Sequence, residues 1–153
     1  MSADKANETL DVIEKLIETC RDGQAGYLEA AENARNHELR AFFSQRALER
    51  AKFAGELETE ARLLGEADPE RKPSMASTLH RAWIDLKLKM GGGDASILES
   101  VETGERNAKS HYHEALQAGL PQDVQAIVER QAESVFSAHD QIRTLQGVYK
   151  SAA

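Results

Sequence analysis

The sequence predicts an all-α protein. Apolar residues recur every three or four positions through most of the 153-residue chain, which is the period of amphipathic helices. Only 5% of the residues are aromatic and three are proline, so little material exists for a β-sandwich or barrel. Stretches rich in glycine, proline or charge separate the periodic segments. The length fits a single four-helix-bundle domain over residues 1–153, with its core at 7–149.

The first predicted helix covers residues 8–34, with Asn7 as its N-cap. Gly23 and Gly26 interrupt this helix, and they indicate either a close helix contact or a kink. One apolar stripe follows the helix: Leu10, Ile13, Ile17, Cys20, Tyr27, Ala31 and Ala34.

The second predicted helix covers residues 37–64, with Asn36 as its N-cap and Gly65 at its end. Its flank carries Phe42 and Phe53. Its stripe is Leu39, Phe43, Ala47, Arg50, Ala54, Leu57, Ala61 and Leu64. A charged, proline-containing loop follows it and is the main break in the chain.

A short third helix is predicted at 75–90, with Leu79, Trp83, Leu86 and Met90 on its apolar edge. Gly91 to Gly93 end it, and Asp94 is predicted to cap the next helix, at 95–118. The stripe of that helix is Ile97, Val101, Glu105, Ala108, Tyr112 and Ala115. The last helix, at 122–149, carries Val124, Val128, Gln131, Val135, Ala138, Ile142, Leu145 and Tyr149.

The short helix decides the topology. Sixteen helical residues rise about 24 Å, enough, with the flanking loops, to return the chain from one end of the bundle to the other. We therefore expect a ferritin-like four-helix bundle with a short extra crossover helix, which packs Trp83 inward. An up-down-up-down bundle in which the short helix is an appendage is the alternative.

Charge and composition bear on location and partners. The formal net charge of −7 and the lack of a basic patch argue against nucleic acid and anionic membranes. No signal peptide or membrane-spanning run is found, so we expect a cytoplasmic protein. The single cysteine, Cys20, lies on an apolar stripe and is expected to be a buried, inert thiol.

Polar residues on or beside the stripes are predicted to meet at mid-height in the bundle: Arg46, Arg50, Glu105, Gln131 and His139. Our first interpretation is a salt-bridge and hydrogen-bond network that fixes helix register. A degenerate metal site made of Glu102, Glu105 and His139 is the second. Two further interpretations are a small-ligand pocket at this level and helices that turn these polar faces to solvent.

A complete di-iron site is not expected. Such sites use a Glu-x-x-His pair from each of two helices, and no glutamate stands three residues before any of the five histidines. His111 and His113 are two residues apart, on different sides of a helix, and are poor partners for one metal.

Several segments resemble a known family: GYLEAAE in the first helix, LHRAWIDLK at 79–87, ILESVETGERNAKSHYHEAL at 97–116, and SAHDQIRTL in the last helix. The family is domain of unknown function 2383, uncharacterised bacterial four-helix-bundle proteins grouped with ferritin-like folds. The resemblance covers about residues 7–147 and is most specific at the His80, Arg81, Trp83 cluster and the Glu102, Gly104, Glu105 cluster. The resemblance implies a fold, but it assigns no activity.

These observations favour a non-enzymatic bundle that works through protein contacts, as a homo-oligomer, with no cofactor and an unknown partner. The alternative is a ferritin-like metal-binding protein with a degenerate site for iron or another divalent metal.

Overall fold

The computed structural model describes residues 2–66 and 92–152. These residues form four helices: α1 (Ala3–Asn33), α2 (His37–Leu63), α3 (Asp94–Leu116) and α4 (Gln122–Ala152). The described ranges contain no strand, so the predicted all-α class is confirmed. The predicted helix at 75–90, with Leu79, Trp83, Leu86 and Met90, lies outside the described residues.

The start of α1 corrects one prediction. The helix begins five residues earlier than expected, because Ser2, not Asn7, is its N-cap and the Ser2 Oγ accepts from the Lys5 N–H at 3.1 Å. Asp4 then lies in the first turn, where its negative charge suits the positive end of the helix dipole. Asn7 is an ordinary residue of the helix.

The caps at the opposite end of the bundle are linked. Asn36 is the N-cap of α2 as predicted, and its Oδ1 accepts from the N–H groups of Glu38 and Leu39. Asp94 does not cap α3: the cap residue is Gly93 (φ +89°), and Asp94 is the first helical residue. The Asp94 carboxylate instead accepts from the backbone N–H groups of Arg35 and Asn36 at 2.7 and 2.9 Å, which ties the start of α3 to the α1–α2 turn.

Contacts between helices fix their directions. The α1 residues Lys5, Lys15 and Tyr27 contact Gly119, Glu114 and Glu105 respectively, so α1 and α3 are antiparallel. Short turns make α1 and α2, and also α3 and α4, antiparallel pairs. It follows that α2 and α3 run in the same direction and that Glu66 and Gly92 lie at opposite ends of the bundle. Helices that follow one another in the up-down-up-down order would alternate in direction, so the parallel directions of α2 and α3 show that this alternative is wrong.

The core follows the predicted stripes closely. Residues such as Ile13, Phe43, Ile97 and Val128 are fully buried, while Leu10, Leu64, Leu145 and Tyr149 at the stripe ends are only partly covered. Many core positions are alanine or glycine, which lets the helices pack closely. None of the helices in the described ranges combines the length and the apolar character that crossing a bilayer requires.

Candidate functional site

A buried ion pair lies between α2 and α3. Arg50 Nη2 donates to Oε1 and Oε2 of Glu105 at 2.6 and 2.7 Å, and neither side chain is more than 1% exposed. The Tyr27 hydroxyl of α1 donates to Glu105 Oε2. The carboxylate therefore accepts charge-assisted hydrogen bonds from two other helices, which compensates for its removal from water.

The rest of the Arg50 guanidinium lies against α1. Its carbon Cζ is 5.4 Å from the centroid of the Tyr27 ring, a distance that allows a cation–π interaction. A Cβ atom on Gly23 would stand only 3.1 Å from Arg50 Nη1, so the bare glycine leaves the space that the guanidinium needs. Arg50 Nε and Nη1 have no hydrogen-bond partner among the described residues, and the Tyr27 ring compensates for part of that loss.

Burial and neighbouring charge shift the pKa values of this cluster. Burial acts to lower the pKa of Arg50, but the opposing effects, led by the negative charge of Glu105, are larger together, so the pKa lies above its ordinary value and Arg50 stays protonated. Burial raises the pKa of Tyr27 well above its ordinary value, and the negative charge of Glu105 raises it further. Tyr27 is therefore a neutral hydrogen-bond donor.

A second polar chain runs through the core beside the first. The Cys20 Sγ and the Tyr112 hydroxyl are 3.0 Å apart, and the Tyr112 hydroxyl donates to Gln131 Oε1 at 2.8 Å. The amide nitrogen of Gln131 in turn donates to the Phe53 carbonyl oxygen and to Glu56 Oε1. This chain joins all four helices, because its members come from α1, α3, α4 and α2 in that order.

Cys20 is an unreactive thiol in this setting. It is fully buried, and burial raises its pKa to about 11, with the hydrogen bond to Tyr112 as the largest opposing effect. Only the thiolate is nucleophilic, so Cys20 is a small polar core residue. The buried thiol expected from the sequence is confirmed.

Two residues predicted for the layer contact groups other than Glu105. Arg46 is on the flank of α2, 19% exposed, with its Cζ 5.4 Å above the Phe42 ring and its Nη1 3.9 Å from Glu49. It does not pair with Glu105, because it lies about one turn from Arg50 along the helix and on the helix flank. His139 is buried at the α3–α4 seam, where its Nε2 is 3.2 Å from Glu102 Oε1.

The three candidate metal ligands do not form one ligand set. Both oxygens of Glu105 are engaged by Arg50 and one also by Tyr27, whereas Glu102 contacts His139 and forms an ion pair with Arg106. In residues 2–66 and 92–152, no group of three or more histidine, cysteine, aspartate or glutamate side chains is placed to hold a metal ion. Arg50 also brings a positive charge against the carboxylate, which opposes cation binding.

Sequence reasoning missed several interior contacts. Tyr112 and Cys20 were placed on apolar stripes, although they form a hydrogen-bonded pair in the core. Glu58 is buried on α2 and accepts from Arg21 at 2.9 Å, and neither residue stood out from the many charged residues around it. The sequence did offer a signal for the contact between Cys20 and Tyr112. Tyr112 lies on a stripe predicted to be buried, and a buried hydroxyl needs a polar partner.

The family resemblance is confirmed. A family model described as domain of unknown function (DUF2383) matches residues 8–118, which is more than half of the chain and covers Tyr27, Arg50, Glu105 and Tyr112. A comparison with curated proteins finds no match. The chain is a member of the DUF2383 family.

Proposed function

We propose that the protein works through contacts with other protein chains, including a second copy of itself, and not through catalysis. One observation carries this proposal: α2 exposes two leucines, Leu48 at 67% and Leu63 at 75%. They lie on or beside the side of α2 that faces away from the core. We define the outward face of α2 as Ala41, Ser44, Leu48, Lys52, Gly55 and Thr59.

The outward face of α2 is suited to another helix. Apart from Leu48 and Lys52 its side chains are small, so a second helix can approach closely. In a two-fold dimer the same face contacts itself, and burial of both copies of Leu48 would stabilise the contact. The interior supports a structural role for the polar residues, since Arg50, Glu105 and Tyr27 bind one another and are buried away from solvent.

Sedimentation velocity over a wide concentration range tests self-association. We expect a dimer for the wild type and a monomer for Leu48→Glu, because two buried glutamates would oppose each other at a two-fold contact. Leu28→Glu is the matched control, since Leu28 is also exposed (46%) but lies on α1. A wild type that remains monomeric, or a dimer that Leu48→Glu leaves intact, would contradict the proposal.

We further propose ferritin-like kinship and a bacterial, cytoplasmic setting. The parallel directions of α2 and α3 support the kinship, because ferritin-like bundles join two helices of the same direction through one crossover. The lone buried thiol of Cys20 is compatible with a reducing compartment. Cell fractionation with an antibody against the native protein tests the location.

A further inference from the structure

A groove separates α2 and α4 near the end of the bundle where α2 begins and α4 ends. Its volume is about 700 Å³. Its apolar lining comes from Leu39 and Phe42 on α2 and from Leu145 and Val148 on α4. Val148 is 58% exposed, although it belongs to the apolar side of the groove. The groove is distinct from the outward face of α2, because Leu39 and Phe42 lie on the α4 side of that helix.

The shape of the groove suits a helix. Its α4 wall extends from Ser137 to Tyr149 with a lining residue at every third or fourth position, which corresponds to about 18 Å of helix. A helix of about three turns has that length. Its side chains at positions i, i+3 or i+4, and i+7 would follow the spacing of the wall.

The charge of the groove indicates the chemistry of its occupant. The charged lining residues described are both acidic, Glu38 on α2 and Asp140 on α4. Tyr149, also in the lining, has a raised pKa, through burial and then through the nearby charges of Asp94 and Glu38. Arg46 lies beside the groove with its Cζ 5.4 Å from the centroid of the Phe42 ring, and Glu49, 3.9 Å from its Nη1, offsets its positive charge. A positively charged partner would find complementary charge on both walls.

We propose that the α2–α4 groove binds an amphipathic helix of a partner protein, with apolar residues along one edge and lysine or arginine on either side of that edge. The apolar edge would cover Phe42, Leu145 and Val148, and the basic side chains would reach Glu38 and Asp140. Burial of the apolar edge supplies affinity, and the acidic walls select against acidic helices.

The test uses the full chain and two fluorescent peptides of about fifteen residues. One peptide has leucines at helical three- and four-residue spacing with lysines between them, and the other has glutamates in place of the lysines. Fluorescence anisotropy measures binding, and ¹⁵N-labelled protein locates it. We expect the lysine peptide to bind at least about tenfold more tightly than the glutamate peptide and to shift the amide resonances of Gln141, Thr144 and Val148.

Variants assign the binding to the groove. Val148→Arg should weaken binding of the lysine peptide by about tenfold or more, while Leu28→Arg, the same change at an exposed leucine on α1, should leave it unchanged. The double variant Glu38→Gln and Asp140→Asn should weaken binding several-fold and reduce its salt dependence. Circular dichroism checks that each variant is folded.

Three results would overturn the proposal. Equal binding of the lysine peptide to Val148→Arg and Leu28→Arg would show attraction to the acidic protein as a whole. A wild-type dimer that Val148→Arg dissociates would make the groove a contact between copies of this chain. Binding by Trp83→Asp but not by the wild type would show that residues of this chain outside the described ranges compete for the groove.

Discussion

One nitrogen of Arg50, Nη2, lies within 2.7 Å of both carboxylate oxygens of Glu105, inside a bundle that leaves neither side chain more than 1% exposed. Arginine often presents two nitrogens to a carboxylate. Here a single nitrogen does so, while Nη1 lies beside Gly23 and the guanidinium carbon lies 5.4 Å from the centroid of the Tyr27 ring, both on α1. The pair therefore fixes the positions of three helices relative to one another. A buried pair of this kind costs much to break, although it adds little net stability.

The first prediction concerns that pair. Glu105→Leu leaves Arg50 buried without its carboxylate, and we expect unfolding free energy to fall by about 3–5 kcal/mol. Arg50→Met should have a comparable effect, whereas the double variant should recover most of the loss. Urea denaturation followed by circular dichroism measures all three. Glu114→Ala is the control, because its pair with Lys15 is exposed and contributes less than about 1 kcal/mol.

The same variants separate the network from a metal site. If Glu105 only pairs with Arg50 and Tyr27, added manganese or zinc leaves the difference in melting temperature between wild type and Glu105→Leu unchanged. A Glu105 that binds a metal would behave in the opposite way, since its loss would abolish stabilisation by the added metal. A Glu105→Leu variant that melts like the wild type in every condition would contradict both interpretations.

The second prediction concerns Gly23. Alanine in a helix interior is ordinarily more stable than glycine by about 0.5–1 kcal/mol. Gly147→Ala in α4 should show that gain, because no described atom lies within 4 Å of the added Cβ. The gain in unfolding free energy from Gly23→Ala should be smaller by at least about 1 kcal/mol, because the new Cβ would lie 3.1 Å from Arg50 Nη1 and displace the guanidinium. Equal gains at the two positions in urea denaturation would contradict the close contact.

The third prediction concerns Cys20. Its burial and its pKa of about 11 should make the native thiol react with a disulfide reagent at pH 8 far more slowly than the urea-unfolded chain does. The rate of thiol release, followed by absorbance, gives the measurement. Tyr112→Phe tests the hydrogen bond to Cys20 and should cost about 1–2 kcal/mol, since the Gln131 carbonyl oxygen also loses its donor. A native thiol that reacts as fast as the unfolded one would show that Cys20 is open to solvent.

The fourth prediction concerns the pH dependence of stability. Partial burial and then the charge of Lys15 lower the pKa of His111 below its ordinary value of 6.5. The unfolded chain then binds more protons at His111 than the folded chain does. The contribution of His111 to the free energy of unfolding is therefore complete above pH 6.5 and is lost as the pH falls below that value. His111→Asn should make the decline of stability with acidity shallower than in the wild type. His113→Asn is the control, because His113 is exposed on the same helix.

The sequence by itself determined the number of long helices and the residues that face the core. All six residues of the stripe predicted on α3 are buried, as are six of the eight predicted on α4, because a helical period places one set of side chains on one face. The other two on α4, Leu145 and Tyr149, are partly buried, and the buried Leu98, Ser100, Gly104 and Ala132 were not predicted. Asn36 could be predicted as a cap because capping is local: its own side chain accepts hydrogen bonds from the N–H groups of Glu38 and Leu39, which follow it in the chain. The layer that contains Arg50 and Glu105 was predicted for the same reason, since a charge on an apolar stripe must lie inside.

Only the tertiary structure decided which polar groups meet. Arg46 and Arg50 are both near the stripe of α2, and the choice of Arg50 as the partner of Glu105 depends on how α2 is rotated and on the space that Gly23 leaves for the guanidinium. Asp94 binds the backbone of Arg35 and Asn36 and not its own helix, because the start of α3 lies beside the α1–α2 turn. Helical periodicity shows which face of a helix is buried. The partner across that face depends on the rotation, height and direction of a different helix, which are set when the whole core packs.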